Sequence, residues 1–234
     1  MQKTFMHTTI ASAVLFALNF AYAQESTQSE QLEAIEISAD ASPDGLSKEF
    51  AGGQVAAGSR VGILGNKANL ENPYSTTSYT NKFIQDKQAR SVADVLKNDP
   101  TVRVARGFGN FQEAYFMRGF ITNSDDILYN GLYGLLPRQY IASEMFERVD
   151  VQRGASAFLN GMAPGGGSIG GTIALMPKRA PQEDLNRLNI GYSSSERTNV
   201  GADISRRFGD NKEFGVRLNV AHTEGESEID HDNA

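Results

Sequence analysis

The sequence ERVDVQRGASAFLNG at residues 147–161, followed by a glycine run and TIALMPKR at residues 172–179, decides the fold. Charged and β-branched residues alternate at 148–151 and predict one strand, and the apolar segment 172–175 predicts another. An Arg-Gly step, a short helical turn and a glycine-rich loop separate them. This order of elements is unusual, and further predicted elements precede and follow it in the sequence.

The preceding segment predicts one helix and several short strands. Ser91 and Asp94 form a capping box, and the helix that they begin ends before Pro100. Strands are predicted at residues 73–80, 101–104, 115–120 and 127–131, the last of which ends in Asn-Gly, a strong hairpin signal. Because the strands are short and the loops many, we expect residues 61–180 to form a small α+β domain with a mixed β-sheet, short helices and loops.

The segment after Pro181 changes character. Apolar residues alternate with polar or small ones at 188–192, 200–204 and 214–220, as in outer-membrane β-strands of about ten residues. A soluble antiparallel sheet shows the same alternation. Three strands cannot close a barrel, since bacterial barrels have about eight or more. We therefore expect residues 185–234 to be the first antiparallel strands of an incomplete transmembrane β-barrel.

The N-terminal residues have two predicted roles. A basic start, an apolar run and an Ala-Tyr-Ala site predict a secretory signal peptide at residues 1–23. Residues 24–60 are acidic at first and then rich in small residues, so we expect a disordered leader. Its apolar patch at 32–39 contains Ile35 and Ile37, which could add a strand to the edge of a partner sheet. The patch could equally be ordinary linker.

Composition excludes several kinds of chemistry. The chain has no cysteine and three histidines, so disulfides, thiolate catalysis and His- or Cys-based metal sites are not expected. The formal net charge of −6 disfavours nucleic-acid binding, which requires a basic face.

The glycine loop imitates two catalytic motifs. Gly165, Gly167 and Gly170 have the spacing of a dinucleotide fingerprint, and Ser168 lies in a nominal nucleophile elbow. Both motifs must follow a strand and open a helix, whereas this loop precedes a strand. We therefore predict that the chain is not an enzyme and that the glycines let the loop pack against neighbouring backbone.

The ordered motifs together resemble the plug domain of TonB-dependent outer-membrane receptors of the ferric-siderophore type. The family form reads roughly E-R-V-E-V-x-R-G-P-x-x-x-L-Y-G and then G-G-x-x-N-x-x-x-K, close to residues 147–178. SVADVLKNDP at 91–100, FMRGF at 116–120 and LYNGL at 128–132 also resemble family segments in order. Thr101 and Asn130 depart from the Gly and Asp that are frequent there, which leaves the ligand chemistry open.

The resemblance implies three sets of site residues. The first is a TonB-binding box, formed here by Glu33, Ala34, Ile35, Glu36, Ile37, Ser38 and Ala39. The second is a ligand-binding apex, formed by Arg106, Gly107, Phe108, Asn110, Phe111, Asn123, Ser124, Leu136 and Arg138. The third is a set of plug–barrel ion pairs, made by Arg118, Glu147, Arg148 and Arg153. Without the resemblance, these charges and Glu113 could be interpreted as acid–base catalysts.

The resemblance also implies an importer that takes a ferric siderophore into the periplasm with energy from the TonB complex. Its partners would be TonB, the ferric siderophore and outer-membrane lipid, with iron carried in the ligand and no resident cofactor. The expected location is the outer membrane, or the periplasm if a truncated chain is the real product. A receptor for cobalamin, haem or a glycan, and a soluble plug that only binds TonB, are the alternatives.

Overall fold

The computed structural model describes residues 45–107, 109–193 and 197–225. We call residues 45–178 the mixed region and the last three strands the C-terminal sheet. The strands are β1 (Gly58–Arg60), β2 (Asn66–Ala68), β3 (Ser75–Thr80), β4 (Val102–Arg106), β5 (Ala114–Met117), β6 (Phe120–Asn123), β7 (Leu128–Tyr129), β8 (Phe146–Arg153), β9 (Gly171–Pro177), β10 (Leu185–Ser193), β11 (Arg197–Phe208) and β12 (Phe214–Glu224), and the helices are α1 (Asn81–Asp86), α2 (Val92–Leu96) and α3 (Ala157–Asn160).

A four-stranded sheet in the order β3-β8-β9-β7 is the centre of the mixed region. β8 pairs antiparallel with β3 and β9, and β7 pairs parallel with β9. Separate small sheets are formed by β1-β2 and by β4-β5-β6. The two strands predicted on either side of the glycine loop are thus neighbours in one mixed sheet.

The core lies between this sheet and the two helices α1 and α2. Helix α2 begins with the predicted capping box, in which Ser91 Oγ accepts from the Asp94 amide at 3.2 Å and Asp94 accepts from the Ser91 amide. The cap orients the apolar face of α2 toward the sheet, where apolar side chains of both elements are buried. The fully buried members are Val92, Val95, Leu96, Val149, Val151, Ile173 and Leu175.

The predicted strand at 115–120 is two strands, β5 and β6, and the prediction of one strand was wrong. Met117 faces Phe120 across a turn made by Arg118 and Gly119. Both turn residues have positive φ, 51° and 89°, which is the conformation of a tight hairpin turn that follows the twist of its strands. Arginine rarely adopts a positive φ, so this turn has no ordinary sequence signal.

The hairpin signal at Asn130 and Gly131 corresponds to a tight turn with positive φ at both residues. Tyr129 and Leu132 exchange both backbone hydrogen bonds across it, at 2.8 and 3.0 Å. The turn does not lead into the second strand of a hairpin. β7 instead pairs parallel with β9.

Ordered structure begins before the expected boundary at residue 61. Leu46 and Ala56 are buried, β1 pairs with β2, and Val55 bridges to Tyr79 at the edge of β3. Small residues allow this close pairing, for a Cβ on Gly58 would meet the Lys67 carbonyl oxygen. Residues 45–60 therefore belong to the folded mixed region, which corrects the expectation of a disordered leader up to residue 60. The rest of the leader lies outside the described residues.

The C-terminal sheet is antiparallel, in the order β10-β11-β12. Its register places Leu188 opposite Ala202 and Ala202 opposite Val220, so apolar residues share one face. That face is exposed, whereas Asp203 and Ser205 on the other face are buried. The predicted α+β region followed by antiparallel strands is confirmed.

None of the helices within residues 45–107, 109–193 and 197–225 has the length and apolar character of a membrane-spanning helix.

Candidate functional site

A network of charges joins the mixed region to the C-terminal sheet. Asp203 on β11 accepts two hydrogen bonds from the Arg217 guanidinium on β12, at 2.8 and 2.7 Å. Lys178, which follows β9, lies 3.1 Å from the same carboxylate. Arg217 also pairs with Glu147 on β8 at 3.2 Å. The side chains of Asp203, Lys178 and Arg217 are less than a tenth exposed, so the pairing offsets their desolvation.

Strand alternation explains why these charges meet. Asp203 lies opposite Asn219 in the β11–β12 register, and Arg217 lies two residues before Asn219 on the same face. Arg187 is the partner of Asp203 on β10, and its guanidinium donates to Asn81 Oδ1 of α1 at 3.0 Å. The polar face of the C-terminal sheet is therefore bound to the mixed region through side chains from all three of its strands.

A cleft of about 650 Å³ lies along this junction. Helices α1 and α2 line one side and the C-terminal sheet lines the other, with Arg90, Glu144, Lys178, Asn199 and Asn219 among the lining residues. Burial raises the pKa of Glu144 and lowers that of Lys178. The lining is mixed, because Ile84, Leu188, Ile190 and Val220 contribute apolar surface beside these polar and charged groups.

The four predicted ion-pair residues have different surroundings. Glu147 contacts the C-terminal sheet through Arg217. Arg148 instead donates to the carbonyl oxygen of Ser47 within the mixed region. Arg118 is exposed in its turn, and its guanidinium lies beside Gly154. Their joint role in holding a plug in a barrel stays a prediction.

Arg153, the fourth residue, pairs with Asp99 at 2.5 Å inside the mixed region. Asp99 is fully buried and also accepts from the hydroxyls of Tyr79, at 3.2 Å, and Thr101, at 2.6 Å. The pair joins the end of α2 to β3 and β8. Sequence analysis identified Asp99 only as part of the helix stop before Pro100, because nothing local indicates a buried partner more than fifty residues away.

The predicted apex residues lie in three loops, which follow β4, β6 and β7, and these loops lie close together. The Glu113 amide donates to the Arg138 carbonyl at 2.7 Å, and the Ser124 amide donates to the Glu113 carbonyl at 3.0 Å. Arg106 Nη2 donates to Asn123 Oδ1 at 3.4 Å. The loops following β4, β6 and β7 therefore form one surface; its role as a ligand-binding apex stays a prediction.

Two arginines on this apical surface have different partners. Arg138 binds Asp125 through two nitrogens, at 2.7 and 3.2 Å, and Gln112 donates to the same carboxylate. Arg106 lies 5.0 Å from the centre of the exposed Phe111 ring, a cation–π contact. Within the described residues Arg106 has no acidic partner, so no carboxylate neutralises its charge on this surface.

Not all predicted apical residues can face a ligand. Ser124 is fully buried at the start of a 3₁₀ turn, which corrects its assignment as a contact. Leu136 is half-buried against the core, and Phe108 lies outside the described residues. Exposed members of the set are Asn110, Phe111 and Arg138.

The glycine loop packs as predicted. The Gly165 amide donates to Asp126 at 2.6 Å, and a Cβ on Gly167 would meet the same carboxylate. A Cβ on Gly170 would clash with the Met117 carbonyl. The loop leads into β9, so it does not have the strand-before, helix-after context of a dinucleotide or nucleophile motif.

Two buried carboxyl groups have raised pKa values, and the sequence analysis singled out Glu113 but not Asp150. Asp150 accepts from Ser78 Oγ at 2.5 Å and from the Arg60 amide at 3.3 Å, and burial raises its pKa to about 6. Burial likewise raises the pKa of Glu113, whose carboxyl accepts from the Tyr115 hydroxyl at 2.7 Å. Both are components of the core and lie away from the cleft.

Comparison with known proteins agrees with this geometry. Residues 68–168 match the model of the TonB-dependent Receptor Plug Domain. The ferrichrome receptor FcuA of Yersinia enterocolitica is 48% identical over 76% of this chain and 23% of its own length. The ferric-pyoverdine BN7/BN8 receptor of Pseudomonas putida is 28% identical over 78% of this chain and 22% of its own.

The solved structure of BauA, the ferric preacinetobactin receptor of Acinetobacter baumannii, superposes with a TM-score of 0.73 and 43% identity, covering 78% of this chain and 27% of that one. The chain thus spans about a quarter of the length of these relatives. They are named as receptors, which supports the prediction that the chain is not an enzyme. The chain therefore belongs to the TonB-dependent receptors through its plug domain, at residues 68–168.

Proposed function

We propose that the chain is the N-terminal part of an outer-membrane receptor that imports a ferric siderophore with energy from TonB. One observation carries this proposal: the C-terminal sheet is apolar on its exposed face and polar on the face bound to the mixed region. A soluble domain rarely exposes a continuous apolar sheet face, whereas a transmembrane barrel turns such a face toward lipid.

The exposed face supports the outer-membrane location. Its members are more than two-fifths exposed although they are large and apolar, and they lie on all three strands. They are Leu188, Ile190, Tyr192, Val200, Ile204, Val216, Leu218 and Val220. Lipid is the partner that removes this area from water.

The apical surface supports the ligand class. Because Arg138 is neutralised by Asp125, Arg106 supplies the one uncompensated charge among the described apical side chains, beside the apolar Phe111. This favours a neutral or weakly charged, oxygen-rich chelate, such as a ferric hydroxamate, over a strongly anionic ferric catecholate. One of the relatives is named as a ferrichrome receptor, which supports a siderophore as the ligand. Iron would arrive as part of the ligand, with no resident cofactor.

TonB is the proposed source of energy, and residues 33–39 are its proposed binding segment. These residues lie outside the described part of the chain, so their assignment depends on the family pattern. They precede the first described residue by only a few positions, which gives a pull on them a direct route to the mixed region.

The test is iron uptake in a bacterium that lacks its own siderophore receptors and expresses the protein. We expect uptake from a ferric hydroxamate and loss of that uptake, with ligand binding retained, when residues 35–39 are deleted. Arg106→Ala should weaken binding of the chelate more than Arg138→Ala does. Uptake that survives the deletion would exclude TonB-driven import through this segment.

Two results would favour the alternatives. Uptake of cobalamin, but of no ferric siderophore, would support a different nutrient; a vitamin B12 transporter of Vibrio vulnificus, BtuB, is 26% identical over 64% of the chain. Recovery of the protein in the soluble periplasmic fraction would support a plug that binds TonB without transport.

A further inference from the structure

Residues 45–57 form a short hairpin against the main sheet, and we call this segment the clasp. The Phe50 amide donates to the Val55 carbonyl at 2.8 Å, and the Ala57 amide donates to the Lys48 carbonyl at 2.9 Å. These bonds close the hairpin on itself. The clasp is the first structure that the described chain forms after the predicted TonB box.

The hairpin is attached to the edge strand β3 by few bonds. The Ala56 amide donates to the Ser78 carbonyl at 2.9 Å, the Thr80 amide donates to the Gln54 carbonyl at 3.2 Å, and Thr80 Oγ donates to the Gly53 carbonyl at 2.5 Å. By contrast, β3 is paired with β8 along all six of its residues. The clasp is therefore a weaker addition to an otherwise continuous sheet.

The N-terminal end of the clasp is fixed at a deeper point. Arg148 lies on the inner strand β8, is nine-tenths buried, and donates to the Ser47 carbonyl. Leu46, which precedes Ser47 in the sequence, is buried against Leu128, Ala174 and Met176 of β7 and β9. One arginine and one leucine side chain thus connect the start of the clasp to the inner strands β8 and β9 and to the edge strand β7.

We propose that the clasp is a releasable fastening, in which Arg148 and the Leu46 pocket hold residues 45–57 on the sheet until tension on the chain before residue 45 detaches them. The mechanical role rests on the proposed function, because it requires TonB to pull. Tension would first reach the Gly45 carbonyl, which accepts from Asn66 Nδ2 of β2, then the Leu46 and Ser47 contacts, and finally the β3 edge, since these contacts follow one another along the chain. Arg148 is then a positioning residue for transport, acting through its bond to the Ser47 carbonyl.

Release would change the sheet behind the clasp. The Ser78 hydroxyl donates to the buried Asp150, and the Ser78 carbonyl accepts from the Ala56 amide of the clasp. Arg60, which follows the clasp, donates its amide to the other Asp150 oxygen at 3.3 Å. Removing the clasp exposes the edge of β3 beside this carboxylate, so the fastening protects the least solvated acid of the sheet.

Hydrogen exchange on the 234-residue chain tests the fastening without transport. Arg148→Gln should speed exchange of the Ala56, Ala57 and Thr80 amides by about tenfold or more, because a charged hydrogen bond is lost. The α2 amides should keep their wild-type rates. Arg138→Gln is the matched control at a distant arginine, and Arg148→Lys should restore part of the protection. A uniform increase across the plug, or no change at the clasp, would overturn the proposal.

A reversible cross-link tests the mechanical role, since the native chain has no cysteine. Val55 and Tyr79 are antiparallel partners at a spacing that a disulfide can bridge. Val55→Cys with Tyr79→Cys would tie the clasp to β3, and the reduced form controls for the lost ring. Glu49→Cys with Ala56→Cys, also antiparallel partners, would close the hairpin without tying it to the sheet.

We expect the oxidised 55–79 protein to bind the ferric chelate as the reduced form does but to lose at least about nine-tenths of its uptake, since a covalent bond replaces contacts that must open. The 49–56 disulfide should leave uptake unchanged. Equal uptake by the oxidised and reduced 55–79 proteins would overturn the mechanical role. If wild-type protein imports no ferric siderophore, the proposed function fails, and the exchange rates still decide whether the fastening exists.

Discussion

The mixed region buries its large apolar residues, whereas the C-terminal sheet exposes many of its apolar residues and buries Asp203. In the mixed region Leu175 and Val149 are fully buried. In the C-terminal sheet Leu218 and Ile190 are more than half exposed, while Asp203 is buried. The first part has an interior that excludes water, and the second has an exterior suited to an apolar solvent.

This difference shows that the charges at the junction have a structural task. The inward face of the C-terminal sheet lies against a folded domain, and its charges are paired across the junction with Lys178 and Glu147. The junction therefore depends on a few specific ion pairs between buried side chains.

The largest effect should follow from breaking the junction. Asp203→Ala leaves Arg217 and Lys178 buried without their shared partner, and we expect a loss of about 3–5 kcal/mol in the free energy of unfolding. Asp184→Ala is the control: its pair with Arg206 is exposed and 3.7 Å long, and should be worth less than about 1 kcal/mol. Denaturant titration in detergent measures both. Similar losses would show that the junction is not a special contact.

The apolar faces should respond differently to the same truncation. Leu175→Ala creates a cavity in the plug core and should cost about 2–5 kcal/mol. Leu218→Ala removes a side chain from the exposed face and should change stability in detergent by about 0.5 kcal/mol or less. Tyrosine fluorescence during unfolding reports both, because the chain has no tryptophan. A large cost for Leu218→Ala would mean that its face packs against protein.

Asp150 should make the plug less stable as pH rises. Its folded pKa of about 6 lies above the ordinary value of 3.8, so the folded state holds the proton more tightly than the unfolded state. This contribution is complete below pH 4 and lost as pH rises through 6, and is on the order of 3 kcal/mol. Asp150→Asn should remove that part of the slope of stability against pH. Parallel slopes for the two proteins would contradict the assignment.

The smallest effect should be local to α2. Ser91→Ala removes the N-cap of a short helix and should cost about 1 kcal/mol, whereas Ser91→Asp keeps an acceptor for the Asp94 amide and should cost less. Thermal unfolding of the two variants compares them directly. Equal losses would indicate that packing, and not the cap, positions α2.

Much of the fold was predictable because its signals are local. The capping box at Ser91, the strands on either side of the glycine loop and the alternation after Pro181 each depend on residues close together in sequence. The turn at Arg118 and Gly119 was missed because arginine there adopts a conformation that its type rarely takes. The structure brings the predicted apical loops together, but the burial of Ser124 was not visible in the sequence.

The sequence by itself determined the order of elements, the two-sided character of the last strands and the membership in a receptor family, because periodicity and motifs are written along the chain. Only the tertiary structure decided which charges meet: Arg148 with Ser47, Arg153 with Asp99, and Arg217 with Asp203 and Glu147. Partners so far apart in sequence are selected by sheet register and desolvation, which act only once the chain has folded.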